Sequence, residues 1–73
     1  MSEKMEIMID MVKNLAMLLI EKEQSMTMEQ ALSAVFHSDT YRKVMDEKTC
    51  FYFQSPRYVF AFLEEELVKG KFE

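Results

Sequence analysis

Catalysis and metal binding both need nucleophilic, titratable or soft-ligand side chains that converge, and this sequence supplies few. There is one His and one Cys among 73 residues, so a nucleophilic pair could only be Cys50 activated by His37. Neither lies in a local motif, and a lone thiol beside Phe51 reads more simply as a small buried apolar group. His37 with Asp39 and Asp46 is the one set with metal-ligand chemistry. Zinc sites use clustered Cys and His or paired His on one helical face, so a solvated helix start flanked by acids is the preferred reading. In Glu64-Glu65-Glu66, Glu65 pairs with Lys69 at i,i+4, and Glu66 falls close to the Phe62 and Leu63 side as a rim residue for a partner's cation. The only Gly is Gly70, so no Gly-rich loop can hold a phosphate. The expectation is a non-enzymatic chain with no catalytic residue, metal, cofactor or small-molecule substrate; a ligand site among Phe51, Phe53 and Phe60 is a distant third reading.

Two binding chemistries remain. Residues 27–46 have a helix-turn-helix-like outline, with Ala31 where helices approach closely and Thr40, Tyr41, Arg42 and Lys43 at the start of the would-be recognition helix. The charge argues against DNA: residues 1–36, 37–58 and 59–73 carry net −3, +1 and −2, making −4 overall. A region at +1 is not the basic stripe that displaces counterions from phosphates. Methionine is the stronger signal. Five of the eight Met lie in the first 17 residues, and unbranched thioethers adapt to irregular partner surfaces. The expected partner-binding set is Met5, Met8, Met11, Val12, Leu15, Met17, Leu18 and Leu19. Within it, Met8 also suits the core, as does Met45 outside it, while Met11 and Met17 stand away from the main stripe.

These residues must be positioned by helices. Met5, Met8, Val12, Leu15 and Leu19 repeat at 3,4,3,4 spacing, which predicts a long amphipathic helix over residues 3–22. With Ile9, Ala16 and Ile20 on one flank and Met11 and Leu18 on the other, the apolar arc spans about 200°, more than one neighbour covers. Thr27 and Gln30 have capping-box spacing before a stripe of Met28, Ala31, Leu32 and Val35 that ends near Phe36. Ser38 or Asp39 can cap a third helix through about Asp46, with Tyr41, Val44 and Met45 as its apolar contacts. Residues 50–54 are aromatic and bounded by turn formers, the signature of a short extended segment. It is read as an aromatic plug across the helices, in preference to half of a two-stranded pairing across a dimer, because an isolated strand is marginal. Ser55-Pro56 then opens a last helix running to about Lys69. Its buried arc is Val59, Phe60, Phe62, Leu63 and Leu67; Gly70 is placed for its C-cap, and Lys69 and Lys71 lie at the negative end of its dipole.

The fold expected is therefore all-α: a single small four-helix domain over residues 1–73, with a long first helix, two short helices, and a C-terminal helix packed on the first through Phe60, Leu63 and Leu67. A chain this short buries only about 62% of its unfolded surface, and one Cys permits no internal disulfide. That makes a homodimer or a protein partner the natural source of further stability. The longest apolar run, Leu15 to Ile20, is far below the roughly 20 residues that cross a bilayer. The N-terminus is more acidic than basic, unlike a secretory signal, so a cytoplasmic protein is expected, in keeping with a free Cys50.

A set of motifs, Ala31-Leu32, Ser38-Asp39-Thr40-Tyr41, Asp46-Glu47-Lys48-Thr49, Ser55-Pro56-Arg57-Tyr58-Val59 and Phe62-Leu63-Glu64-Glu65-Glu66, resembles a group of short bacterial proteins sometimes encoded beside toxin–antitoxin genes. It covers about residues 31–66 and contains no catalytic signature. The resemblance implies a small helical accessory protein, antitoxin-like or regulatory. It also implies that Thr40, Tyr41, Asp46, Thr49 and Arg57 form an internal hydrogen-bonded set fixing the loop before the last helix.

Overall fold

The computed structural model describes residues 2–69, and Met1, Gly70 and Lys71 of the expectations above lie outside them. Four helices follow in order: α1 (Glu3–Lys22), α2 (Met28–Phe36), α3 (Asp39–Val44) and α4 (Pro56–Val68). Each starts on a hydroxyl side chain that takes the N–H three residues on, which would otherwise be orphaned at a helix N-terminus. Ser2 accepts from Met5 at 3.1 Å, Ser38 from Tyr41 at 3.0 Å and Ser55 from Tyr58 at 3.2 Å. Thr27 and Gln30 form the full capping box, with bonds of 3.1 and 3.0 Å.

The helix α1 is the central element, packed on α2, α3, α4 and the turn before α4. Its buried residues are Met8, Met11, Val12, Leu15, Ala16 and Leu19, an arc of about 140° at 100° per residue. They share one core with Ala31, Val35, Val44, Tyr52, Val59, Phe60 and Leu63. The wide apolar face that seemed to need a second chain is mostly covered from within, because three helices and a turn divide it between them. No helix among the described residues is long and apolar enough to cross a membrane.

Several local expectations are corrected. The third helix stops at Val44, with Met45 as its C-cap. Asp46 instead caps a 3-10 turn, Glu47–Thr49, by accepting the Lys48 N–H at 3.0 Å. The segment expected to be extended is a second 3-10 turn, Phe51–Phe53, entered through Cys50 at φ 58. With no strand beside it, its backbone closes on itself: Phe53 N–H bonds the Cys50 carbonyl and Gln54 N–H the Phe51 carbonyl, both at 3.1 Å. Tyr52 is the plug, 4% exposed, while Phe53 turns outward. On α4, Phe60 and Leu63 are buried as expected, but Leu67 is 42% exposed and Glu66 occupies the buried position instead. Met28 on α2 is likewise exposed.

Candidate functional site

The groups that could have done covalent chemistry each bond locally. The His37 ring nitrogen Nδ1 lies 2.7 Å from the Ser33 carbonyl, and the Cys50 thiol faces the Glu47 carbonyl at 3.8 Å. Among the described residues no group of three His, Cys, Asp or Glu side chains is arranged to hold a metal ion.

Glu66 is the residue whose role the sequence misplaced. Its carboxylate, in a residue only 5% exposed, caps α3 from across the fold. Oε2 accepts the Asp39 N–H at 2.6 Å, while Oε1 accepts the Thr40 N–H at 3.1 Å and the Thr40 hydroxyl at 2.9 Å. An anion at a helix start satisfies orphan donors and meets the positive end of the helix. Glu66 is thus an internal latch and not a rim residue. Helical spacing placed it one step beyond Leu63, and only the approach of α3 turns that position inward.

The same latch takes Thr40 out of the would-be DNA-reading set, leaving it 1% exposed. The Tyr41 ring meets Phe36 edge-on with centroids 5.2 Å apart, and Lys43 Nζ lies 5.9 Å above the Phe51 ring and 6.0 Å from that of Phe62. Arg42 and Lys43 are both exposed, with Arg42 within reach of Asp39 at 3.5 Å. The expected loop network is divided too. Asp46 and Thr49 hold the loop, with Thr49 donating to the Lys43 and Asp46 carbonyls and accepting the Phe51 N–H at 3.2 Å. Thr40 instead serves Glu66, the Tyr41 N–H serves Ser38, and Arg57 reaches Glu21 on α1 at 3.7 Å.

Of the eight first-helix residues expected to meet a partner, Met8, Met11, Val12, Leu15 and Leu19 are core, none more than 6% exposed. They cannot be offered to another chain while this one stays folded. Met5, Met17 and Leu18 remain accessible, with Met17 at 58%. Met17 and Leu18 line a groove of about 600 Å³, against Ile20 and Pro56, with Asn14 and Arg57 among its polar edges. A second hollow of about 350 Å³ continues it between Leu18 and Phe60, and a third of about 260 Å³ follows between Met26, Phe60 and Leu67.

Neighbouring hollows share walls: Leu18, Glu21 and Arg57 belong to the first and second, and Lys22, Phe60 and Glu64 to the second and third. The partitions are two ion pairs across the α1–α4 seam, Glu21 with Arg57 and Lys22 with Glu64. Together the hollows form one trough, apolar at its two ends and charged across the middle. A separate cleft of about 260 Å³ lies between Ile9, Leu32, Phe36, Tyr41 and Met45, where the Phe36–Tyr41 contact takes up part of the aromatic surface. The aromatic cluster itself differs from the expected one. Phe51, Tyr58 and Phe62 pack on one another with centroids 5.1 to 6.3 Å apart, while Phe60 is core and Phe53 lies outside on Tyr52. No family model, curated protein or solved structure matches this chain.

Proposed function

We propose that the chain is a non-enzymatic protein–protein interaction module that docks a partner in the trough between α1 and α4, with Met17 and Leu18 as anchors. The observation that carries this reading is Met17, an adaptable apolar side chain 58% exposed on the wall of a groove of about 600 Å³. Large apolar side chains gathered along a depression mark contact surfaces more often than scattered ones do. The thin inventory of reactive groups agrees with binding as the activity. The motif resemblance adds a bacterial, cytoplasmic, accessory or antitoxin-like setting for that partner.

Expression together with the genes that neighbour it, followed by purification and light scattering at micromolar concentration, tests the proposal. A stable complex is expected, and Met17→Glu should release the partner while leaving the helical circular dichroism unchanged. A clean monomer with no co-purifying protein would sink it. The alternative, a DNA-associated regulator using residues 27–46, keeps the pair of short helices and Arg42 but has Thr40 buried and Tyr41 packed. Retention of duplex DNA at low salt, abolished by Arg42→Ala with Lys43→Ala, would favour that alternative.

A further inference from the structure

The shape of the trough narrows what can occupy it. Its three hollows follow one flank of α4, with Pro56, Phe60 and Leu67 each lining a successive one. These residues lie on a single helix, and Phe60 lines the second and third hollows alike, so the hollows run on from one another along about three turns of it. Apart from Glu23 and Met26 of the α1–α2 connection at the far end, the long walls are α1 and α4, whose backbone groups bond within each helix along most of their length. An extended peptide laid between them would find no row of free N–H and C=O groups and would bury its own unpaired. A helix satisfies its own backbone and presents only side chains.

Charge narrows the choice further. The two cations on the trough, Lys22 and Arg57, are held by Glu64 and Glu21, whereas Glu23, on the wall of the third hollow, is in no ion pair among the described residues. The chain as a whole carries net charge −4, so a second copy approaches against repulsion and a basic segment approaches with attraction.

Building on the interaction-module reading, we infer that the trough is the seat of a cationic amphipathic helix from a partner protein. That helix is about three turns long, has an apolar stripe along one face, and carries Lys or Arg on its flanks. Such a stripe lies along the trough and meets the apolar walls at its two ends.

The test is selection from a displayed library of 16-residue helix-favouring sequences, with the full chain as bait. Enriched peptides are expected to carry an apolar stripe at helical spacing beside Lys or Arg, and to become helical on binding. Amide shifts should cluster at Met17, Leu18 and Leu67. Affinity should fall at least tenfold with Met17→Glu or Leu67→Glu and stay unchanged with Met28→Glu; all three sites are exposed, and circular dichroism checks that each variant folds. Enrichment of acidic or extended sequences, no enrichment, or shifts centred on the Phe36–Tyr41 cleft would overturn the inference. So would concentration-dependent self-association abolished by Met17→Glu, since a second copy would then fill the trough. A native partner that binds through another face overturns this inference and leaves the interaction module standing; the absence of any native partner removes the module itself.

Discussion

Glu66 ties two helices together, because one carboxylate serves three donors on α3. Glu66→Ala strands those donors in a site where the carboxylate residue is 5% exposed, and should lower unfolding free energy by about 3 kcal/mol in urea titration. Glu66→Gln keeps one acceptor for Thr40 but sets an amide NH2 against the Asp39 N–H and loses the charge at the helix start, so its cost should be about 2 kcal/mol. Lys4 behaves differently. The carboxylate of Glu47, bonded at 3.0 Å, raises its pKa above the ordinary 10.5 by hydrogen bonding and then by charge attraction. A raised folded-state pKa means that the tie is complete below 10.5 and is lost as pH climbs through the higher folded value. Direct titration of the Lys4 ammonium by NMR should place its midpoint above that of Lys4 in the Glu47→Gln variant.

Between helices, the turns decide how the last element arrives. Cys50 holds φ 58 between the two 3-10 turns, a region where side chains with a branched Cβ are strained. Cys50→Val should cost about 1–2 kcal/mol, whereas Cys50→Gly should be nearly neutral because relief of strain offsets a freer unfolded chain. Chemical denaturation of the two variants distinguishes this backbone role from one belonging to the thiol. Tyr52 is fixed by the same turn. Its truncation to Ala should cost about 3–4 kcal/mol, in contrast to the outward Phe53, whose replacement by Ser should change stability by less than about 0.5 kcal/mol. The aromatic composition of this segment marked it as a plug, but its geometry depended on there being no strand to pair with.

At the scale of the molecule, burial sorts the methionines of α1 into two roles. Met11→Glu should unfold the protein, since it places an unpaired charge in the core, while Met17→Glu should leave the melting temperature within about 2 °C and act only on partner binding. Thermal melts of the pair, run beside the binding assay, check both halves of that statement. Sequence alone determined the helices and most of their starts: 3,4,3,4 spacing over Met5 to Leu19, the Thr27–Gln30 box, and Ser55-Pro56 are local signals whose physics is complete within one turn. It also determined the poverty of reactive groups, which needs only counting. Tertiary structure decided which apolar residues remain exposed. The helix period already leaves Met17 outside the apolar arc, but it sets Met11 and Leu18 on the same flank, and Met11 is buried while Leu18 is only partly covered, because coverage depends on how many neighbours surround α1 and at what angles. The same holds for Glu66, Thr40 and the trough. Each exists only where separate helices meet, and no local pattern records that approach.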